Sequence, residues 1–184
     1  MNFNIYYFID EFDRNEIEKL SSKISLIYRN YEKKSSSSEL KKLVANCKKN
    51  RRKVYISNSL KDAIKYNFDG LYIPSFNKCL NFRNIVKDNF EIIGSAHNIM
   101  ELKIKEKQGC SAIFLSPIFK NDKKKKYLGV VKANLLKNLT SNKIVLLGGI
   151  NFKNFIKAKM CAPSGIAGIS WIKKNGPSIN TGPF

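Results

Sequence analysis

The chain has 184 residues, the length of one typical domain, and we expect a single domain over residues 1–184 with an irregular C-terminal tail at 171–184. Hydrophobic residues make up 43% of the chain, which is enough for a full core and excludes a disordered or collagen-like protein. The net charge of +20 indicates a soluble protein that prefers anions, but the lysines are spread along nearly every segment, which disfavours a dedicated nucleic-acid-binding protein.

Eight short runs of apolar and β-branched residues predict strands. Several of them are apolar throughout instead of alternating, which is typical of parallel strands covered on both faces. The runs are Ile5–Ile9, Ile24–Tyr28, Lys53–Ser57, Gly70–Ile73, Glu91–Ser95, Ser111–Leu115, Lys143–Leu147 and Gly165–Ser170.

Segments with helical spacing lie between these runs, over Arg14–Lys23, Ser38–Lys49, Asn98–Gln108 and Val131–Leu139. Ser38 and Asn151 are candidate N-caps, and Gly109 is placed as a C-terminal stop. Eight strands alternating with about seven helices favour a closed (β/α)8 barrel, the TIM barrel. An open doubly wound sheet is the alternative, but its GxGxxG fingerprint is missing. Gly, Pro and Asn near the C-terminus predict a short barrel whose last helix is stunted or missing.

The sequence carries no sign of a membrane or secreted protein. No stretch reaches the roughly 18 apolar residues of a membrane span, and the N-terminus, which turns acidic by Asp10, lacks the basic region of a secretory signal. The four cysteines are widely spaced without a CxxC pair, so we interpret them as reduced thiols. We therefore expect a cytoplasmic protein with no membrane partner.

Candidate site residues follow the strands, because a (β/α)8 barrel carries its active site at the carboxyl ends of its strands. Gly148–Gly149 follows the seventh predicted strand and is expected to open directly into a helix, which favours phosphate binding through backbone N–H groups. A plain strand-to-helix turn would use the same two glycines. Arg29, after the second strand, either holds a phosphate oxygen or pairs with Glu32.

Two further strand ends carry polar residues. His97, beside Ser95, either transfers protons, since His titrates near neutrality, or only bonds a backbone carbonyl. The run Lys123–Lys126 indicates a solvated loop in which one lysine is well placed to reach a diphosphate. Asn58 and Asn77 stand where a magnesium site would have Asp, and this lack of carboxylates disfavours glycosidases and metal hydrolases.

Four segments in order resemble the thiamine-phosphate synthase and TenI-type family: IIGSAHNIMEL, GCSAIFLSPIF, VLLGGINFKN and GIAGISWI. They carry a G-S-x-H segment, a G-P-I-F-like turn, a G-G-I turn and a closing A-x-x-S strand. The resemblance covers most of Ile24–Ile172 and is strongest from Ile92 onward. It implies a (β/α)8 barrel and a transferase that joins hydroxymethylpyrimidine diphosphate to thiazole phosphate with Mg2+. The diphosphate departs, and the thiazole nitrogen captures the pyrimidine cation that remains.

Matched residue by residue, the resemblance implies roles for most of these positions. Arg29 and Lys124 would hold the diphosphate, and Ser95, a catalytic candidate, would contact the same group. His97 is the catalytic candidate of the family's tautomerase branch. The thiazole phosphate would bind backbone N–H groups at Gly148, Gly149, Ile169 and Ser170. The chain departs from the family at Ile27 and Tyr31, which replace Gln and Lys, and at Pro74 and Ser75, which replace Gly and Gln. Asn58 and Asn77 replace two metal-binding Asp, so they would hold Mg2+ only weakly.

Two alternatives to the synthase stay open. The TenI branch of the same family isomerises a thiazole carboxylate phosphate without a metal, and there His97 would shuttle the proton. The other is a non-catalytic barrel that binds phosphates or nucleic acid through its basic surface. The expected partners are small phosphorylated pyrimidine and thiazole substrates, with a homo-oligomer as a further possibility.

Overall fold

Eight parallel strands form a closed barrel in the order β1 to β8, with β8 paired back onto β1. The structure is a computed structural model that describes residues 3–32, 35–82, 89–120 and 126–175. The predicted (β/α)8 barrel is therefore confirmed, and the open sheet is excluded. The strands are β1 (Asn4–Ile9), β2 (Ile24–Tyr28), β3 (Val54–Ser57), β4 (Gly70–Ile73), β5 (Glu91–Ala96), β6 (Ala112–Leu115), β7 (Lys143–Leu147) and β8 (Gly165–Gly168).

A helix follows each strand except β4, whose connection to β5 contains residues 83–88, outside the described part of the chain. The helix α2 begins at Ser37 because the Ser36 side chain accepts the N–H of Glu39 at 3.0 Å, so the predicted cap at Ser38 is wrong by two residues. The helices are α1 (Arg14–Glu18), α2 (Ser37–Lys49), α3 (Leu60–Lys65), α4 (Ile99–Lys107), α5 (Gly129–Asn138), α6 (Phe155–Lys159) and α7 (Ser170–Asn175).

The C-terminal end of the barrel differs from the expected one in two details. Strand β8 ends at Gly168 instead of Ser170, and a short helix α7 starts at Ser170. The irregular tail expected from residue 171 is wrong for residues 171–175, which are helical, and the predicted stunting of the last helix stays a prediction because α7 reaches the edge of the described residues. Residues 176–184 lie outside the described part.

Alternate strand positions point into the barrel and fill it with aromatic side chains. The ring of Phe114 contacts the rings of Tyr6 and Tyr72 edge to face, with centroids 4.9 and 5.5 Å apart. Phe8 meets Tyr72 in the same geometry at 5.2 Å. Because the interior is filled, the strand ends are where a ligand can bind.

The amino end of the barrel is tied down by polar contacts. Tyr55 donates its hydroxyl hydrogen to Glu91 at 2.6 Å, and Lys53 pairs with the same carboxylate. The buried Arg52 guanidinium donates to three backbone carbonyls, those of Ile17, Leu20 and Ile24. These contacts stabilise the end opposite the expected site.

All four cysteines lie within the described residues. All four cysteines are free thiols, and three of them, Cys47, Cys110 and Cys161, are buried. Within the residues that the structure describes, no helix is both long and apolar enough to cross a membrane.

Candidate active site at the carboxyl ends of the strands

Parallel pairing places nearly all the predicted site residues at one end of the barrel. Arg29 follows β2, and Asn58 follows β3. Ser95 is the last residue but one of β5, and His97 directly follows this strand. The register pairs Leu147 of β7 with Ala167 of β8, so Gly148 and Gly149 reach the same edge as Ile169 and Ser170. Lys124 lies outside the described residues.

Arg29 lies at the mouth of the barrel above an aromatic ring. Its guanidinium carbon is 4.6 Å from the centroid of Phe8, a cation–π contact. Among the described residues Arg29 forms this contact instead of the ion pair with Glu32 that the sequence left open. A guanidinium held on one face keeps its N–H edge for a phosphate oxygen.

Tyr72 joins Arg29 and Ser95 into one cluster. Its buried hydroxyl lies near enough to the Ser95 side chain and to the Arg29 charge for both to act on its pKa. Burial raises the pKa of Tyr72 to about 12, although Ser95 and Arg29 both oppose the rise, so the phenol stays protonated at neutral pH. The sequence argument missed Tyr72 because it lies inside β4, not after it. Its inward-facing position, in a strand next to that of Ser95, is the signal that could have identified it.

The two asparagines that replace the family's metal-binding carboxylates bond to each other. The Asn77 amide donates to Asn58 Oδ1 at 2.7 Å, and Asn77 Oδ1 accepts the N–H of Cys79 at 2.9 Å. Each side-chain oxygen therefore already accepts one hydrogen bond, and neither side chain carries a negative charge. Mg2+ prefers carboxylate oxygens, and the described residues contain no group of three or more His, Cys, Asp or Glu that could hold a metal ion. This donor set does not fit the weak magnesium site predicted at Asn58 and Asn77.

A buried lysine fastens the loop after β4. Lys105 is fully buried, and its ammonium group donates to the carbonyl oxygens of Pro74 and Asn77 and to the side chain of Gln108, at 2.8–2.9 Å. A Cβ at Gly94 would lie 2.8 Å from Lys105 Cδ, so this glycine makes room for the lysine. Burial lowers the pKa of Lys105 to about 8.

Gln108 completes this fastening. Its amide donates to the carbonyl oxygens of Asn77 and Cys79 at 3.0 and 2.6 Å. We call Lys105 and Gln108 the loop clamp. Sequence reasoning missed it because a lysine in a helix is normally solvated, although Lys105 follows the buried Leu102 by three residues and so shares its helix face.

Two exposed aromatic rings lie at the mouth beside the asparagine pair. The rings of Tyr31, after β2, and Phe76, after β4, meet edge to face with centroids 5.9 Å apart. They are 53% and 63% exposed, which is unusual for large aromatic side chains held in contact. The Tyr31 hydroxyl hydrogen-bonds to Ser57 Oγ at 2.8 Å.

His97 is paired with a carboxylate that the sequence argument did not single out. Its Nδ1 lies 2.9 Å from Glu101 Oε2, and its backbone N–H donates to the same oxygen at 2.7 Å. Glu101 is itself placed by the N-cap of α4, where its N–H bonds to Asn98 Oδ1. Such a pair orients an imidazole and favours the tautomer with the proton on Nδ1. The N-x-x-E pattern that starts at Asn98 could have revealed Glu101.

The glycine pair forms a left-handed turn. Gly148 and Gly149 have φ of +91° and +74°, and a Cβ at Gly149 would lie 2.5 Å from the carbonyl oxygen of Phe119. Glycine is therefore required there by backbone packing alone. The expectation that the pair opens directly into a helix is wrong, because α6 begins only at Phe155.

Asparagines, not a helix start, organise the residues after this turn. The Asn151 and Asn154 side chains accept each other's backbone N–H at 3.2 and 2.8 Å, and the Asn154 amide donates to the Gly149 carbonyl at 2.7 Å. Asn151, predicted as the cap of this helix, therefore bonds to the N–H of Asn154, the residue that occupies the cap position.

Comparison with the sequences of known proteins indicates one family. A family model described as thiamine monophosphate synthase matches residues 18–173. A thiamine-phosphate synthase of Methanococcus vannielii is 28% identical over 120 residues, which cover 64% of this chain and 58% of that protein. A protein of Aquifex aeolicus, provisionally named a second thiamine-phosphate synthase, is 28% identical over 85% of this chain and 86% of its own length.

A solved structure shows the same architecture. The thiamine phosphate pyrophosphorylase from Pyrococcus furiosus aligns with a TM-score of 0.73 over 97% of this chain and 94% of that one, at 16% identity. At this identity the likeness shows a shared fold. The match to the Methanococcus protein spans little more than half of that relative's length, 58%.

Proposed function

Because the chain belongs to the thiamine monophosphate synthase family, we propose that it is a transferase that joins hydroxymethylpyrimidine diphosphate to thiazole phosphate and releases pyrophosphate. The observation that supports this most is the cluster of Arg29, Tyr72 and Ser95 at the mouth of the barrel. It combines one fixed cation with two hydroxyl groups, a set that suits the oxygens of a diphosphate.

In this reaction the bond between the pyrimidine methylene carbon and the diphosphate oxygen breaks, and its electron pair leaves with the diphosphate. The thiazole nitrogen then supplies the electron pair of the new C–N bond. Arg29 would stabilise the charge that collects on the leaving oxygens, while Ser95, beside Tyr72, would orient them. We assign Lys124 to the same diphosphate, and the backbone around Gly148, Gly149, Ile169 and Ser170 to the thiazole phosphate.

Only the resemblance to the family suggests that Mg2+ takes part in the reaction. Asn58 and Asn77 do not fit this ion, because their side chains are neutral where Mg2+ prefers carboxylates and each amide oxygen already accepts a hydrogen bond. We therefore assign no residue of this chain to a metal, and we propose that cationic side chains carry the charge neutralisation instead.

The pairing of His97 with Glu101 supports a second candidate function, the metal-free tautomerase of the TenI branch. With Nδ1 bonded to the carboxylate, a proton would be taken up and returned through Nε2. This function needs no metal and agrees with the asparagine pair. A non-catalytic phosphate- or nucleic-acid-binding barrel has only the net charge of +20 in its support.

We propose a cytoplasmic enzyme whose partners are small phosphorylated pyrimidine and thiazole compounds, without a membrane partner. We also propose that the protein can form a homo-oligomer.

One incubation tests the reaction. Purified protein is mixed with both phosphorylated precursors, with and without Mg2+, and thiamine phosphate is measured as fluorescent thiochrome. We expect product from the wild type and a large loss in Arg29→Ala. His97→Asn should keep synthase activity in this assay. In a separate assay of thiazole carboxylate phosphate isomerisation, the same variant should lose any tautomerase activity. No product, while a known synthase works in the same tube, would overturn the synthase and leave the tautomerase as the leading candidate.

A further inference from the structure

Large aromatic side chains exposed at the mouth of a barrel mark a surface that a ligand can cover. Tyr31 and Phe76 are more than half exposed, yet they touch each other across the end of β3 instead of packing separately into the core. We call these two rings the aromatic rim. Exposed apolar side chains that are held in one place are a common feature of surfaces that bind ligands.

The aromatic rim is held from three sides. The Tyr31 hydroxyl bonds to Ser57, and the Asn77 amide, one residue after Phe76, bonds to Asn58 at 2.7 Å. Beneath the loop, the loop clamp bonds to the carbonyl oxygens on both sides of Phe76, those of Pro74 and Asn77. The rings are thus fixed before any ligand arrives, so little ordering entropy remains to oppose binding.

The charges beside the aromatic rim identify the chemistry of its ligand. Arg29, two residues before Tyr31, carries the cationic group of the cluster with Tyr72 and Ser95. No carboxylate is bonded to the two rings or to the asparagine pair among the contacts of the described residues. A flat ring for stacking and an anionic group for Arg29 together describe a phosphorylated aromatic heterocycle.

We infer that the aromatic rim stacks the heterocycle of the diphosphate substrate and that Lys105 is the positioning residue that holds Phe76 in place for it. The inference rests on the proposed function and names this chain's own residues at that site. The pyrimidine, not the thiazole, is the ring concerned, because Arg29, Tyr72 and Ser95 lie on the β2–β5 side of the mouth. The backbone assigned to the thiazole phosphate belongs to β7 and β8, across the barrel.

Calorimetric titration with two ligands tests the aromatic rim. We expect Phe76→Ala to bind hydroxymethylpyrimidine diphosphate about tenfold more weakly than the wild type, which corresponds to about 1.4 kcal/mol, and to bind inorganic diphosphate equally well. Phe76→Tyr keeps a ring and should bind both ligands as the wild type does. Leu139→Ala is the control, since Leu139 is 52% exposed at the far end of α5, away from the mouth.

Kinetics test Lys105. We expect Lys105→Met to raise KM for the pyrimidine diphosphate several-fold while KM for thiazole phosphate stays unchanged, a split that general destabilisation would not produce. If Lys105→Met does not fold, Phe76→Ala still decides the stacking. Equal affinity of Phe76→Ala and the wild type for the pyrimidine diphosphate would overturn the aromatic rim. Failure of the wild type to bind either ligand would instead overturn the proposed function.

Discussion

Lys105 makes the stability of this protein depend on pH in an unusual direction. Its side chain is fully buried, and burial lowers the pKa of its ammonium group from the ordinary 10.5 to about 8. Between these two values the unfolded chain keeps the proton and the folded chain has lost it. Stability therefore rises with pH across this window, because the unfolded state binds more protons. At neutral pH the fold carries the cost of a buried charge that only neutral acceptors solvate.

The change in the free energy of unfolding with pH follows from the lowering of the Lys105 pKa. One pH unit between the two pKa values is worth about 1.4 kcal/mol, so the free energy of unfolding should gain about 2 kcal/mol from this group between pH 7 and 9.5. The nearby Cys110 thiol does not interfere, since burial raises its pKa to about 12. Glu101 also faces the ammonium group, and its attraction opposes the lowering of the Lys105 pKa.

Urea denaturation at several pH values, monitored by circular dichroism, measures the pH dependence of the free energy of unfolding that Lys105 causes. The free energy of unfolding of the wild type minus that of Lys105→Met should increase by about 2 kcal/mol from pH 7 to pH 9.5. Lys107→Met is the matched control on the same helix, because Lys107 is exposed, and its difference from the wild type should stay flat. A flat difference for Lys105→Met as well would refute the assignment of a depressed pKa to this lysine.

Three further substitutions test the site. Gly149→Ala should lower the free energy of unfolding, measured by urea denaturation, by more than about 1 kcal/mol. The added Cβ would clash with the Phe119 carbonyl oxygen, and the backbone at this position has a positive φ that disfavours alanine. An unchanged free energy of unfolding would contradict this geometry. Arg29→Lys should lower kcat/KM for thiamine phosphate formation at least about tenfold in the thiochrome assay. A lysine cannot reproduce the stacking on Phe8 or the bidentate contact that a guanidinium can make with a phosphate. An unchanged kcat/KM would show that Arg29 does not bind the diphosphate. Glu101→Gln should change the imidazole 15N chemical shifts of His97, measured by NMR, because it replaces the carboxylate that lies 2.9 Å from Nδ1. Unmoved shifts would show that the pair does not persist in solution.

The strands and their ends could be predicted from the sequence because they depend on local composition. A parallel strand buried on both faces must be an apolar run, and each of the eight runs became a strand at nearly its predicted bounds. The cap of α2 was misplaced for a local reason, since four consecutive serines precede Glu39 and the sequence does not distinguish which one reaches its N–H.

The sequence also pointed to most residues at the mouth, because parallel strands bring their carboxyl ends together whatever the details of packing. By itself it determined the barrel, the family resemblance and the positions of Arg29, Ser95 and His97 at strand ends. It also marked the replacement of two acidic residues by Asn58 and Asn77.

Only the tertiary structure decided how these residues are used. A lysine in a helix is solvated unless a neighbouring loop covers it, and the loop after β4 covers Lys105 with two carbonyl acceptors, to which the Gln108 side chain adds a third. Two asparagines nineteen positions apart bond to each other because β3 and β4 pair side by side. Burial and hydrogen-bond partners depend on contacts between distant segments, which local patterns do not encode.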